Sequence, residues 1–207
     1  MTLRFTPEEI RTLYDRLAHT YDALSSVPDW LGLSRVRRRL VQKARGRVLE
    51  VAAGTGRNLR FYPAGCEITL LDLSPSMLAE ARKRAERLGL TNVSFVTGDA
   101  AALPFPDRSF DTVVSTLSTC TFPDPVAALR EMARVCRRGG RILLLEHGRS
   151  DRRWLAWYQD RTAERHARAV GCFWNREPLR LVRQAGLTPA EIRSCLLGII
   201  QVMEIPV

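Results

Sequence analysis

Two short segments contain the residues whose types and spacing are best suited to chemistry. Residues 48–58, VLEVAAGTGRN, predict an apolar strand, a glycine-containing turn and the start of a helix, and residues 70–74, LLDLS, place Asp72 at the end of the next strand. Backbone N–H groups in such a turn can approach a ligand closely, and a carboxylate in that position can accept both hydroxyls of a ribose. The two segments therefore predict a pocket for a nucleoside-containing cofactor.

The residues around the turn indicate which cofactor it is. A dinucleotide site favours G-x-G-x-x-G, whereas here Gly54 and Gly56 are followed by Leu59. Glu50 places a second carboxylate at the mouth, where it would repel a pyrophosphate and attract a cationic or amino-bearing ligand. S-adenosylmethionine carries a sulfonium and an ammonium group, so we expect it as cofactor, with S-adenosylhomocysteine as product.

Four separated blocks, spanning roughly residues 47–148, resemble the class I S-adenosylmethionine-dependent methyltransferases: EVAAGTGRN, LLDLSPSML, VTGDAAALPFPDRSFDTVVS and RVCRRGGRILLLEHG. By this resemblance Glu50 and the turn at 52–56 would serve the methionine part of the cofactor, and Asp72 the ribose. Leu73 and Met77 would contact the faces of the adenine.

The same resemblance places Asp99 at the adenine amino group and Ser115 and Thr116 at the mouth where the methyl group is transferred. The cofactor residues that it implies are Glu50, Ala52, Ala53, Gly54, Gly56, Asn58, Asp72, Leu73, Met77, Gly98, Asp99, Ala100, Ser115 and Thr116. One position departs from the family pattern, because Ala52 stands where the first glycine of E-x-G-x-G-x-G is usual. We expect a tolerated variant there, with a backbone that stays at negative φ.

Each carboxylate taken alone also has a structural interpretation. Asp72 could cap the helix that begins at SPSM, for which Ser74 is a plausible N-cap and Pro75 the first helical residue, and Asp99 could be a turn residue after Gly98. Their joint spacing favours a cofactor site, because they end successive predicted strands on one edge of a parallel sheet. A nicotinamide oxidoreductase is the rival enzyme class.

The hydrophobic pattern predicts an α/β fold with a doubly wound, mostly parallel sheet. Predicted strands lie at 47–51, 67–71, 93–97, 110–115 and 141–146, with two more in the tail, and predicted helices at 7–24, 57–62, 75–88, 125–137, 152–170 and 175–185. The family resemblance implies seven strands, a Rossmann-like arrangement and an antiparallel last strand. We expect an N-terminal helical cap at 1–46 and a cofactor-binding domain at 47–207.

The composition limits the kinds of protein that this sequence can encode. A chain of 207 residues that is 45% hydrophobic favours one domain with a sizeable core. It contains no run of eighteen apolar residues, and its start lacks a secretion signal, so we expect a soluble, cytoplasmic protein. The five cysteines are scattered and include no C-x-x-C pair, and the histidines add no ligand spacing. We therefore expect no metal, and Cys120 as a packing residue.

The net charge of +10 comes almost entirely from arginine, since Lys43 and Lys83 are the only lysines. Such a charge attracts nucleic acid or an anionic membrane surface, although arginine excess can also reflect genome composition or a hot habitat. The turn after the fourth strand, STLSTCTFPDP, differs from the N-P-P-Y-like turn of enzymes that methylate nucleobases. This difference argues against a nucleic acid substrate.

The segments LYDRLAHTYDALSS, LPFPDRSFDTVVS and LLLEHGRS resemble the family of membrane-quinone C-methyltransferases and bacterial phosphatidylethanolamine N-methyltransferases. NLRFYPAGCEITLLD and GCFWNRE are similar to thiol methyltransferases that act on lipophilic thiols. All of these act on amphiphilic or apolar acceptors. We favour phosphatidylethanolamine, with quinone C-methylation and thiol S-methylation as alternatives, and a membrane-binding adaptor that kept the fold as the non-enzyme alternative.

A basic surface interleaved with tryptophans suits peripheral docking on an anionic membrane, although the tryptophans could instead be core residues. The substrate and membrane candidates are Tyr14, Trp30, Arg35, Arg149, Arg152, Arg153 and Trp174, with Trp154 and Trp157 on the same predicted surface. No stable protein partner is predicted. Tyr21, His147 and Tyr158 are the catalytic candidates, because they could orient an amine or relay its proton. Packing is the alternative role for the tyrosines, and a structural hydrogen bond for His147.

Overall fold

The computed structural model describes residues 3–24 and 32–207. In this part of the chain the helices are α1 (Pro7–Leu24), α2 (Ser34–Val41), α3 (Pro75–Arg87), α4 (Pro125–Val135), α5 (Arg153–Val170) and α6 (Pro178–Gln184), with a short 3-10 turn at Leu59–Phe61. The strands are β1 (Arg47–Val51), β2 (Glu67–Asp72), β3 (Val93–Thr97), β4 (Phe110–Thr116), β5 (Cys136–His147), β6 (Glu191–Cys195) and β7 (Ile200–Pro206).

The seven strands form one sheet in the order β3-β2-β1-β4-β5-β7-β6. The first five strands along the chain pair in parallel, and β7 pairs antiparallel with both β5 and β6. This confirms the predicted Rossmann-like, mostly parallel sheet. The carboxyl ends of β1 to β5 all lie on one edge, which we call the upper edge. His147 pairs with Ile200, so the turn between β6 and β7 lies on the upper edge too.

Helices cover both faces of the sheet because neighbouring strand residues alternate between two cores. Leu49 and Val113 belong to the core beneath α4 and α6, whereas Val48 and Val114 belong to the core beneath α2 and α3. Strands buried on both faces are expected to be almost continuously apolar, as Leu143–Leu145 and its neighbours are. The strand prediction succeeded for this reason.

Helix α2 falls within the predicted N-terminal cap, but it packs directly against the sheet. Leu33, Leu40 and Val41 are buried in the same core as the strands. The apolar side of this basic helix therefore faces the sheet, and the exposed Arg35 lies on its outer side. Trp30, predicted to contact a membrane, lies outside the described residues.

Several predicted boundaries differ from the structure. The predicted helix at 57–62 is only the turn Leu59–Phe61, because Tyr62 precedes a proline and adopts an extended conformation with ψ of 138°. The strand predicted at 141–146 begins earlier, at Cys136, which pairs with Phe110 across a register shift. α4 correspondingly ends at Val135.

Candidate active site

The glycine turn after β1 leaves an open space at the upper edge of the sheet. Gly54 and Gly56 have φ values of 56° and 73°, which favour glycine. A Cβ on Gly56 would lie 2.9 Å from Leu59 Cδ1 and 3.1 Å from Ala81 Cβ, so this glycine lets the turn pack against α3. A Cβ on Gly54 would meet nothing within 4 Å. Gly54 therefore borders a pocket that a ligand can enter.

The expectation of negative φ at Ala52 is wrong. Its φ is 53°, in the left-handed region that glycine tolerates best. The next residue explains the conformation, because the Ala53 N–H donates a 3.0 Å hydrogen bond to the Leu71 carbonyl and the chain must turn sharply to reach it. Ala52 thus carries a local strain of about 1 kcal/mol that a glycine would not.

Asp72 joins the glycine turn to the end of β2. Its carboxylate accepts hydrogen bonds from the Gly54 N–H at 2.7 Å and from the Ser74 N–H at 2.9 Å, one on each oxygen. Burial raises the pKa of Asp72 to about 6, and the backbone donors oppose this shift. Each oxygen retains acceptor capacity, so the carboxylate can also accept ribose hydroxyls. Ser74 caps α3 as predicted, accepting from Met77 N–H at 3.1 Å.

Glu50 is buried behind the turn in a network of polar side chains. It accepts hydrogen bonds from Asn58 Nδ2 at 2.8 Å and from the Tyr62 hydroxyl at 2.7 Å. Arg37 of α2 donates to Asn58 Oδ1 at 3.0 Å and to Thr116 Oγ1 at 2.7 Å. Burial raises the pKa of Glu50 to about 7, although Tyr62, Arg37 and Asn58 favour the charged form. This carboxylate can therefore switch charge near neutral pH.

The pocket collects most of the residues that the resemblance implied. Those that line it are Ala52, Ala53, Gly54, Asp72, Leu73, Met77, Gly98, Asp99, Ala100 and Thr116. Glu50, Gly56, Asn58 and Ser115 lie outside this lining set, and their hydrogen bonds and packing support it. Asp99 organises its own loop, since its Oδ1 accepts from Ala101 N–H at 2.9 Å.

Helix α1 covers the pocket and is anchored to both loops that form it. Asp15 accepts from Ser74 Oγ at 2.6 Å, and Asp22 accepts from Thr55 Oγ1 at 2.7 Å. Tyr14 and Tyr21, each one residue earlier, line the pocket with ring centroids 6.1 Å apart. Residues seven apart share a helix face, so Tyr14 lies on the same face of α1 as Tyr21, and Asp15 on the same face as Asp22. Burial raises the pKa of Tyr21 to about 12, which keeps its phenol neutral.

The loop after β4 is held by a buried carboxylate that the sequence did not single out. Glu146 accepts from the Ser118 N–H at 3.0 Å and the Thr119 N–H at 3.1 Å, and burial raises its pKa. Ser115 donates to the Val51 carbonyl at 3.2 Å and contacts Ser118. Ser118 lines the pocket, so Glu146 fixes one of its walls.

The three catalytic candidates lie in different places. Tyr21 lines the pocket, whereas His147 and Tyr158 are not among the described residues that do. The His147 Nε2 lies 3.1 Å from Cys120 Sγ and 3.3 Å from Cys172 Sγ. Tyr158 is exposed on α5, with its ring centroid 5.8 Å from that of Trp174.

The substrate and membrane candidates are also dispersed. Tyr14 lines the pocket and donates to the Val170 carbonyl at 3.3 Å. Trp174 stacks on His166 at a centroid distance of 4.5 Å. The arginines lie near the start of α5: Arg149 pairs with Asp160 at 2.8 Å, Arg152 lies 3.5 Å from Asp151, and Arg153 is exposed.

The residues present fit S-adenosylmethionine. Gly54 leaves room for a ligand at the turn, Asp72 has spare acceptors for a ribose, and Leu73 and Met77 provide apolar contacts for a base. The buried carboxylate of Glu50, when ionised, contributes negative potential that favours a cationic ligand.

Comparisons with known proteins identify the family. A family model described as a methyltransferase domain matches residues 49–144. A demethylmenaquinone methyltransferase from Mycobacterium sp. is 36% identical over 179 residues, which cover 82% of this chain and 74% of the relative. The chain belongs to the class I S-adenosylmethionine-dependent methyltransferases. S-adenosylmethionine is accordingly the cofactor of this methyltransferase fold.

Two further comparisons report a similar sequence and a similar structure. A phosphatidylethanolamine N-methyltransferase from Cereibacter sphaeroides is 44% identical over 112 residues, or 54% of this chain and 55% of the relative. The structure of a methyltransferase from Thermotoga maritima superposes with a TM-score of 0.70 at 23% identity, covering 95% of this chain and 99% of the other, and shows the shared fold. The chain spans little more than half the length of several curated relatives.

Proposed function

We propose that this protein transfers the methyl group of S-adenosylmethionine to an amphiphilic membrane lipid, with phosphatidylethanolamine as the acceptor. The observation that carries the lipid assignment is an exposed apolar patch on the upper edge of the sheet, the edge that also bears the cofactor pocket. Trp154 and Trp157 are 68% and 63% exposed, and Leu196 and Leu197 are 59% and 47% exposed. These four residues are called the apolar patch below.

The turn that carries Leu196 and Leu197 is bonded to the segment just before α5, the helix that carries Trp154 and Trp157. Asp151 donates its N–H to the Leu197 carbonyl at 3.2 Å, and Ser150 Oγ donates to the same carbonyl at 2.6 Å. These bonds hold the turn between β6 and β7 beside the first turn of α5, next to Arg152 and Arg153. Tryptophans at headgroup depth with arginines for lipid phosphates suit an anionic bilayer. We therefore propose peripheral association with the cytoplasmic face of such a membrane.

The patch and the pocket lie on the same edge of the sheet. Four strand spacings separate β1 from β6 in the sheet, which is about 20 Å. We propose that a membrane against the patch extends over this distance to the pocket. None of the helices in the described ranges 3–24 and 32–207 is long and apolar enough to span a membrane.

The pocket offers both apolar and cationic contacts. Ile10, Leu33 and Phe122 line it together with Arg11 and Arg57. Apolar walls suit acyl chains, and guanidinium groups suit a phosphodiester. The relative named phosphatidylethanolamine N-methyltransferase supports this choice of acceptor.

The reaction is proposed to proceed by in-line attack of the lipid amine. The cofactor supplies an electrophilic methyl group bound to a sulfonium. Tyr14 and Tyr21 exclude water from one side of the pocket, and an apolar surrounding favours the neutral, nucleophilic amine over the ammonium. Tyr21 acts as a neutral hydrogen-bonding group, since its raised pKa leaves almost no phenolate to serve as a base. His147 is proposed to act indirectly, through the loop that carries Cys120.

Quinone C-methylation is the second candidate. It is favoured by the wider match to the relative named demethylmenaquinone methyltransferase, which covers 82% of this chain. An apolar pocket mouth suits a quinone ring as well as an acyl chain. Methylation of a lipophilic thiol and a non-catalytic adaptor are the remaining outcomes of the test below.

The test uses radiolabelled S-adenosylmethionine with vesicles that contain phosphatidylethanolamine, an anionic lipid, a demethylated quinone and a lipophilic thiol. Label in monomethyl- and dimethyl-phosphatidylethanolamine supports the proposal. Label in the quinone, or only in the thiol, would identify that compound as the acceptor in place of phosphatidylethanolamine. No label, despite binding of S-adenosylhomocysteine, would support the non-catalytic adaptor.

The contribution of the apolar patch is tested separately. A variant with Trp154→Ala and Trp157→Ala should lose sedimentation with vesicles and transfer to vesicle lipids, while keeping transfer to detergent-dispersed lipid. Leu88→Ala is the matched control, because Leu88 is exposed at the far end of α3, near the opposite edge of the sheet. Equal sedimentation of both variants would contradict the proposed docking surface.

A further inference from the structure

Three side chains that bind soft metals converge beside the pocket. The Sγ atoms of Cys120 and Cys172 and a ring nitrogen of His147 all lie within 4.8 Å of one another. The nitrogen is 3.1 Å from the first sulfur and 3.3 Å from the second. Both cysteines are buried, and His147 is half-buried.

The fold brings these residues together from distant parts of the sequence. Cys120 lies in the loop after β4, His147 ends β5, and Cys172 follows α5. The Phe173 N–H donates to the Cys120 carbonyl at 3.0 Å, which fixes the two cysteine-bearing segments to each other. Glu146, adjacent to His147, holds the same loop through Ser118. The arrangement is therefore supported by backbone bonds outside the cluster.

The donor set and its spacing match a tetrahedral zinc site. With Zn–S near 2.3 Å and Zn–N near 2.1 Å, neighbouring ligand atoms in a tetrahedron lie about 3.5–3.8 Å apart. The two nitrogen–sulfur separations are 0.2–0.4 Å below that range, and the two sulfurs lie within 4.8 Å of each other. Two sulfurs and an imidazole, with no carboxylate, select zinc over magnesium or calcium. Two thiolates also neutralise a divalent cation, so the buried site would carry no net charge.

We propose that Cys120, His147 and Cys172 bind a Zn²⁺ ion, with a fourth position taken by water. In the bound form both cysteines are thiolates and His147 is a neutral imidazole, and the protons that the ion displaces go to solvent. The ion would join the ends of β4, β5 and α5 and so fix the loop whose Ser118, Thr121 and Phe122 line the pocket.

The experiment measures the metal directly and does not depend on methyl transfer. The full chain is stripped with chelator under reducing conditions and titrated with Zn²⁺ by calorimetry in buffers of different ionisation enthalpy. We expect one ion per chain and a net release of protons, because the bound cysteines are thiolates and the bound imidazole is neutral. Absence of saturable binding, or binding without proton release, would overturn the proposal.

Substitution identifies the ligands. Cys172→Ser and His147→Gln should each weaken Zn²⁺ binding by about 100-fold or more, whereas Cys195→Ser, which removes an exposed cysteine elsewhere, should leave it unchanged. Unchanged affinity in the first two variants would refute the assignment. Cobalt substitution in the unaltered protein covers the case in which a variant does not fold. Thiolate-to-cobalt charge transfer with tetrahedral d–d bands supports the site, and a spectrum without sulfur ligation excludes it.

Discussion

Glu50→Gln should stabilise the cofactor-free protein while weakening cofactor binding. The Glu50 side chain is only 2% exposed, and burial raises its pKa from 4.5 to about 7. Folding therefore destabilises the ionised form by roughly 3 kcal/mol more than the neutral form, relative to the unfolded chain. A glutamine keeps the shape and both hydrogen bonds, because its oxygen can accept from Asn58 and its NH₂ can donate to the Tyr62 hydroxyl.

The sign of the pH dependence follows from the direction of the pKa shift. Because the pKa of Glu50 is higher in the folded state, the folded protein holds more protons than the unfolded chain between pH 4.5 and about 7. Ionisation of Glu50 therefore lowers the free energy of unfolding of the wild type as the pH rises through this window. Near pH 8, the free energy of unfolding of Glu50→Gln should exceed that of the wild type by up to ~3 kcal/mol. The difference should vanish below about pH 4.5.

Urea unfolding of both proteins across this pH range measures the effect, with Glu67→Gln as control because Glu67 is exposed at the start of β2. The control should change the free energy of unfolding by no more than ~0.5 kcal/mol. Loss of the negative charge should weaken S-adenosylmethionine binding about tenfold in calorimetry near pH 8. A Glu50→Gln variant that is less stable than wild type near pH 8, or a stability difference independent of pH, would refute the reasoning.

Three further predictions test other parts of the site. Ala52→Gly should raise the free energy of unfolding by about 0.5–1 kcal/mol, because Ala52 has a φ of 53°, and a lower value in urea unfolding would contradict the strain. Asp15→Ala removes the acceptor for Ser74 and Ser76, so stopped-flow measurements should show S-adenosylhomocysteine leaving several-fold faster; an unchanged rate would mean that α1 does not retain ligand. Tyr21→Phe should lower kcat about tenfold with little change in S-adenosylhomocysteine affinity, and unchanged turnover would remove its hydroxyl from the site.

The sequence predicted the sheet well because the physics of each strand is local. Strands buried on both faces are continuous apolar runs, and the caps of α1 and α3 are set by residues within one turn of each helix start. The residues that line the pocket were equally accessible, since β1 with its turn and β2 with Asp72 are short contiguous motifs. The predicted ends of helices were wrong where local signals compete, as at Pro63, which follows the turn at Leu59–Phe61 and prevents a longer helix.

Long-range contacts explain what the sequence did not predict. Arg37 reaches the site from α2 and Glu146 from β5, and neither has a partner at a regular spacing. The same is true of the cluster of Cys120, His147 and Cys172, whose members are separated by at least 25 residues. The φ of Ala52 likewise depends on where Leu71 lies across the sheet. Such features depend on tertiary geometry, which spacing along one chain does not encode.

Helix α1 is bonded both to the loops of the pocket and to α5. Asp15 and Asp22 anchor it to the two loops that hold the cofactor, while Tyr14 faces the pocket and bonds to Val170 at the end of α5. The other end of α5 carries Trp157 in the apolar patch, about 20 Å away along the helix axis. A helix bonded both to the loops that border the pocket and to α5, the helix proposed to dock on the membrane, can transmit displacement of either one to the pocket. Membrane docking and cofactor retention should therefore be coupled, so vesicles should slow S-adenosylhomocysteine release in the wild type and have less effect in Asp15→Ala.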